Sequence, residues 1–413
     1  MAADKGAPPL ANMVRAGDAQ TEAEAITPFV FMAHDVSNAY LVTTDDGDVL
    51  VNTGFHTSAD RNVALFAPHR TGPLRYIILT QSHADHFGGV PEFMEAGAKL
   101  VGGPNFNEML GDMMGMQAFF GPRTAKLWGS TLGGGPAKPM PHPVPDILVE
   151  DRLALTVGNR TFELISAPEG ETIDNILVWM PNEKIVFVGN TFGPVWLSMP
   201  FLNTLRGDKP RLVRTYLKSL AKVRDLNAEI LITGHGAPII GAQRIRDDLD
   251  RMEAAVTYVR DYTLGGMKAG KDVHTLVREF AFPDNLAIGD FHGKASWAVK
   301  SIWQEYAGWF HYEDGTPALY GVPQKSVHAD LAELAGGADR LAERAQHHAE
   351  AGKPLEAIHL AEIALNADPA NRTALAAKKA ATQALLEASG GKNLSETMWL
   401  RSEIAEIEAK LAG

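Results

Sequence analysis

The chain has 413 residues, a net charge of -12 and no cysteine, so disulfides and thiolate ligands are excluded and any metal is left to His, carboxylate and amide groups. No Lys/Arg cluster is long enough to track a phosphate backbone, which argues against nucleic acid as a partner, and no apolar run approaches the ~20 residues of a membrane-spanning helix. A chain this long is expected to hold two domains.

Residues 1–25, rich in Ala, Gly, Pro and charge without periodicity, read as a loose arm. The start lacks an apolar segment after Lys5, so no secretory signal is visible and a cytoplasmic location is expected for the sequence as written. Strand signals follow at Asn38 to Thr43 and Asp48 to Asn52, joined by the turn Asp45-Asp46-Gly47. Thr57 to Pro68 reads as a helix. Tyr76 to Leu79 reads as a buried strand, and the run after it, Thr80-Gln-Ser-His-Ala-Asp-His-Phe-Gly-Gly89, concentrates His83, Asp85 and His86. Two imidazoles and a carboxylate suit zinc and its borderline neighbours, and side chains leaving a strand's carboxyl end point into the crevice where α/β sheets place their sites. Gly88 and Gly89 allow a close turn into a helix near Val90-Pro91.

Residues 102–146 form an insert with Met109, Met113, Met114, Met116, Phe119, Phe120, Leu127 and Trp128 among glycines and prolines. It suits either an alkyl-chain pocket or an ordinary cover over the core. Strands resume at Leu153 to Thr156 and Arg160 to Ser166, joined by Gly158-Asn159, then at Asn175 to Met180 and Lys184 to Val188, forming the second half of a two-sheet sandwich. Polar residues follow these strand ends, and His235 stands between two glycines after the buried Ile230 to Thr233. Lys209 to Ala228 reads as an amphipathic helix whose Arg211, Arg214, Lys218 and Lys222 form a solvated face, whereas Arg206 precedes it near the site loops. The remainder is helical, with one 34-residue tetratricopeptide-like hairpin over Ala338 to Asn371 and a last amphipathic helix over Leu394 to Leu411.

Thr80 to Gly89 resembles the His-x-His-x-Asp-His-x-Gly-Gly loop of the metallo-β-lactamase fold, with Gln81 where the first histidine is expected and Asn52 where an aspartate is usual. The Ala167-Pro-Glu-Gly-Glu171 loop, Leu205-Arg-Gly207, Tyr306-Ala-Gly-Trp-Phe310 and Leu334-Ala-Gly-Gly-Ala-Asp339 resemble the alkylsulfatase branch of that fold over roughly residues 30–390. The resemblance implies an α/β protein: an αββα sandwich over residues 26–265 and an all-α dimerisation domain over 266–413. It implies a homodimer formed through the C-terminal helices. Family members usually carry a further sterol-carrier-like domain, which this sequence is expected to lack.

By position, the resemblance assigns His83 and Glu171 to a first metal, and Asp85, His86 and His235 to a second. Asn190 falls where a bridging acid is expected. Two cations about 3.5 to 4 Å apart need anionic ligands between them, so amides at Gln81 and Asn190 are expected to leave one tightly bound zinc, at Asp85, His86 and His235. A zinc-bound hydroxide near Asp85, Gln81 and Asn190 would attack an anionic small-molecule ester, with Arg206 holding its sulfate or carboxylate. His34 and His56 are weaker candidates for proton transfer. Sulfate esters of apolar alcohols are favoured. Other esters (lactone, phosphodiester or carboxylic) and a non-catalytic dimeric scaffold, marked by Asn52, Gln81 and Asn190, are the alternatives.

Overall fold

The computed structural model describes residues 7–132 and 139–413, which fall into two compact units. The first holds Gly129–Trp303 and the chain up to Ala125; the second holds Gln304–Gly413 with Lys126–Trp128.

The first unit is built on two sheets. One has seven strands in sequential order: β1 (Glu24–Thr27), β2 (Val30–Ala33), β3 (Ala39–Thr44), β4 (Gly47–Val51), β5 (Leu74–Ile78), β6 (Lys99–Gly102) and β7 (Ile147–Leu148). The other runs from β8 (Arg152–Val157) through β9 (Arg160–Ser166), β10 (Ile176–Met180), β11 (Ile185–Gly189) and β12 (Ile230–Thr233) to β13 (Ile239–Ile240). The hairpins β3–β4 and β8–β9 turn where Asp45-Asp46-Gly47 and Gly158-Asn159 place them. Strands β4 to β7 pair in parallel, as do β11 and β12, and such pairs need crossovers that deliver loops to the carboxyl ends.

β10 and β11 are buried at every residue, because the inner face packs against the opposite sheet and the outer face is covered as well. Val42, Val49, Ile78 and Val101 from the first sheet share one core with Phe162, Ile176, Phe187 and Ile232 from the second. Behind the first sheet, Leu50, Ile77 and Leu79 pack on Phe66, Phe87 and Phe106. The amphipathic helix Val213–Asp225 buries Tyr216, Leu220 and Val223 and packs with the long helix Ala242–Lys268 over the second sheet. The layers are therefore helix, sheet, sheet, helix.

Hydrogen bonds stitch the two sheets together at one end. The Tyr40 hydroxyl donates to Thr233 O at 2.6 Å, Asn38 N–H to Gly234 O at 2.7 Å, and Ile176 N–H to Thr80 O at 2.9 Å. Asn52, at φ 57° just past β4, accepts from Thr80 N–H at 2.9 Å and from its hydroxyl at 3.1 Å. Left-handed backbone is tolerated by Asn better than by most residues, so one side chain supplies both the turn and the clamp on the next loop.

Two boundaries differ from the sequence reading. Residues 7–25 are not a loose arm: the helix Pro9–Met13 buries Leu10 fully and Val14 follows it into the core, while residues 1–6 lie outside the described set. A five-residue helix is too short to display a period, so composition misled. Residue 265 falls inside the helix Ala242–Lys268, and the helices Val273–Glu279 and most of Ala295–Ala307 stay with the first unit, because Val273, Leu276, Val299 and Ile302 are buried.

The second unit contains the hairpin Ala338–Glu350 and Pro354–Ala367, extended by Arg372–Ser389 and Leu394–Ala412. Ala342, Ala345, Ala361, Ala364, Ala374 and Ala377 bring three of these helices close together. A single hairpin gains its missing packing partner from the third helix, which Asn371 caps by accepting from Ala374 N–H at 2.9 Å.

Asn52→Ala removes two buried hydrogen bonds and puts a Cβ residue less suited to φ 57° in that turn. A loss of about 2 kcal/mol is expected, visible as a Tm lower by several degrees in a thermal melt.

Candidate metal centre

The stitched end of the sandwich gathers the polar strand ends. After β5, Thr80 to His83 bends, and the short helix Ala84–Phe87 carries Asp85 and His86. After β12, Gly234 and Gly236 flank His235, the latter glycine at φ 71°. One donor atom each from Asp85, His86 and His235 falls within 4.8 Å of the others, and both imidazoles are buried.

Hydrogen bonds set the His86 tautomer. The Thr80 hydroxyl already donates to Asn52 Oδ1, so its oxygen, 3.3 Å from His86 Nδ1, can only accept. The Ser37 hydroxyl donates to Gly234 O at 2.9 Å and lies 3.3 Å from both ring nitrogens of His86, so it does not choose between them. Thr80 thereby favours the proton on Nδ1, with Nε2 3.8 Å from Asp85 Oδ2. His235 Nε2 is 3.7 Å from the same oxygen. Nearby, Asn190 Oδ1 is buried without a partner, while His235 is held by the Val36 backbone. A Cβ at Gly234 would lie 2.0 Å from Asn190 Oδ1, so only glycine leaves room for that amide.

His83 stands in a different environment. Gln81 Oε1 accepts Asn190 N–H at 3.2 Å, which orients its Nε2 toward His83 Nδ1 at 2.8 Å. An amide nitrogen only donates, so Nδ1 accepts and the proton of His83 lies on Nε2, 3.2 Å from Asp208 Oδ2. Arg206 Nη2 is 3.2 Å from His83 Nε2 and 3.4 Å from Asp208 Oδ2, while its Nε is buried without a partner. Glu171 Oε1 is 3.9 Å from His83 Nδ1 but only 3.0 Å from Arg211 Nη2.

Arg211 corrects the sequence reading. It is 4% exposed rather than part of a solvated face. The helix begins at Val213, so Arg211 precedes it and turns inward to Glu171, Asp208 and the carbonyls of Phe201 and Glu171. Asp208 and His292 were also missed. Burial opposes ionisation of Asp208, but the His83 hydrogen bond and the charges of Arg211 and Arg206 hold its carboxyl far below the usual range. Burial pushes the His86 imidazole down to about 3. Burial, reinforced by Arg206 and Arg211, does the same to His292, which meets the Phe201 ring edge-on at 4.9 Å. His34 pairs with Glu24 at 2.8 Å and His56 stacks edge-on with Phe55, so both are engaged locally.

With the geometry in place, comparison with known proteins places it. Residues 33–235 match the metallo-β-lactamase superfamily and residues 273–406 match the alkyl sulfatase dimerisation family. The chain joins a metallo-β-lactamase domain to an alkyl sulfatase dimerisation domain. It is homologous to alkylsulfatases. A linear primary-alkylsulfatase of Pseudomonas is 25% identical over 90% of this chain and 74% of its own length. An alkyl/aryl-sulfatase of Saccharomyces cerevisiae is 26% identical over 82% of this chain, which spans only 56% of that protein. A stereoselective inverting sec-alkylsulfatase of Pseudomonas has the same fold, with a TM-score of 0.84 at 21% identity over 98% of this chain and 69% of its own. The αββα sandwich and the helical dimerisation domain expected from the sequence are thereby established.

In the first compact unit, His86 and His292 stay neutral down to about pH 3, whereas free imidazoles take up protons below about 6.5. Between those values the unfolded chain binds more protons, so the stability of the metal-stripped protein is expected to rise with pH through this window. Denaturant unfolding at pH 4.5, 5.5 and 6.5 checks it, and His292→Phe should flatten the slope.

Proposed function

We propose that the chain is a metal-dependent hydrolase that cleaves sulfate esters of apolar alcohols, with one zinc ion held by Asp85, His86 and His235. The observation carrying this reading is the convergence of one donor atom each from Asp85, His86 and His235 within 4.8 Å, with Thr80 favouring the His86 proton on Nδ1 and so a lone pair on Nε2. Three donors of this kind suit a catalytic zinc, and the unpartnered Oδ1 of Asn190 lies next to His86 where a further polar group is needed. When bound, such an ion supplies Lewis acidity and brings the pKa of a coordinated water to about 7.

The remaining work falls to the chain. Arg206, with Nε free, can receive the anionic sulfate by charge-assisted hydrogen bonds. Phe119 and Phe120 from the insert lie against Gly207, where a Cβ would be 3.6 and 3.2 Å from their rings. Phe119 remains 51% exposed, so an apolar surface adjoins the anion-binding guanidinium, as an alkyl sulfate requires. Kinship with the alkylsulfatases supports sulfate over other acyl or phosphoryl groups. The amides that suggested a degenerate scaffold have assigned tasks: Asn52 clamps Thr80, and Gln81 orients His83.

A homodimer is expected through the C-terminal helical domain, whose Trp309, Tyr312, Tyr320 and Leu334 leave large apolar areas exposed in the single chain. Light scattering on the purified protein should give twice the chain mass.

The deciding assay is sulfate release from medium-chain alkyl sulfates, abolished by chelation and restored by zinc. Turnover of a lactone, phosphodiester or carboxylic ester with no sulfate release would overturn the substrate. Metal-replete protein inert on all of them would overturn the enzyme. Arg206→Met should lower kcat/KM for alkyl sulfates about 10- to 100-fold, the equivalent of one lost charged hydrogen bond.

A further inference from the structure

The position a first metal occupies in the two-metal arrangement does not fit an ion in this chain. Its two remaining donors, His83 and Glu171, both have other partners. His83 has no lone pair left: Nδ1 accepts from Gln81 at 2.8 Å, and Nε2 carries the proton shared with Asp208 at 3.2 Å. His86, three residues on in the same loop, has Nδ1 facing the accepting Thr80 hydroxyl and Nε2 3.8 Å from the Asp85 carboxylate. The Glu171 carboxylate is neutralised by Arg211 Nη2 at 3.0 Å, and Asp208 Oδ2 lies 3.7 Å from the same nitrogen.

We propose that the Arg211 guanidinium is a built-in replacement for the first metal ion: held between Glu171 and Asp208, it supplies the positive charge those carboxylates need and closes the pocket to a second ion. The reading deepens the zinc assignment above and rests on it only for the neighbouring trio.

Three features support it. Arg211 is anchored on both sides by backbone, donating from Nε to Glu171 O and from Nη1 to Phe201 O, so its head group cannot swing out to admit a cation. Its side chain is 2% exposed, and Asp208 is 4% exposed, so the charges are matched out of water, where leaving any one unpaired is costly. Gln81 then has a positive role beyond being an absent histidine: its amide receives Asn190 N–H and donates to Nδ1 of His83, occupying the lone pair an ion would need. Arg211 is a positioning residue in this account. Its charge is consumed internally, which leaves Arg206 as the guanidinium with an uncommitted donor.

The test is metal stoichiometry, by elemental analysis of zinc-loaded, desalted full-length protein. Wild type should retain one equivalent per chain. Glu171→Gln should retain the same amount, because Glu171 serves Arg211 and not an ion, whereas Asp85→Asn should lose it. Gln81→His combined with Arg211→Met should gain one equivalent over wild type. Two equivalents in wild type, a loss in Glu171→Gln, or no gain in a double variant whose circular dichroism matches wild type would each overturn the proposal. If the double variant does not fold, Glu171→Gln decides. A wild type that retains no zinc overturns the assignment of the Asp85 trio instead, and the gain of one equivalent in the double variant still judges Arg211.

Discussion

The site exists because two sheets are tied together at one end by a few polar bonds rather than by apolar packing alone. Tyr40 to Thr233, Asn38 to Gly234 and Thr80 to Ile176 each join a strand end of one sheet to the other. Apolar packing between the sheets is non-directional and sets only that the faces meet. The hydrogen bonds set the register, and with it the distance between a loop that leaves β5 and one that leaves β12. Without that register Asp85 and His235, 150 residues apart in sequence, would have no fixed separation.

Within this frame the two halves of the polar cluster have opposite electrostatic solutions. Around His86 the Thr80 hydroxyl is already spent as a donor, so it favours the imidazole proton on Nδ1 and leaves Nε2 facing a carboxylate. Around His83 the neighbours are an amide donor, a carboxylate and two guanidiniums, so both ring nitrogens are engaged. Two imidazoles three residues apart are thus prepared for different tasks by groups that are not adjacent to either in sequence. This is the arrangement in which buried charge is tolerated: each acid has a cation within reach, and hydrogen bonds satisfy the rest.

The loop that carries Asp85 and His86 was legible in the sequence because its residues are contiguous: an apolar strand, His83, Asp85, His86 and paired glycines follow one another directly. His235 could be found because a buried strand and two glycines frame it. Arg211 could not. Its spacing from Arg214, Lys218 and Lys222 matches a helix period, yet the helix starts after it at Val213, and a shift of the helix start by four residues moves a side chain from solvent to the site. Asp208 was silent for a related reason, since a lone aspartate in a loop carries no periodicity and its partners come from three other segments. The helix Pro9–Met13 was missed because five residues offer no repeat, and its one strong sign, the burial of Leu10, is a tertiary property.

Gly234 constrains more than its own backbone. Because the amide of Asn190 fills the space a side chain at 234 would take, the two positions form a lock in which one partner is fixed at the smallest possible size. The residue at 190 can alternate between amide and acid of the same length without a steric barrier, whereas a side chain at 234 would meet both Asn190 Oδ1 and, at 3.1 Å, His86 Cε1, so shortening 190 alone does not free the position.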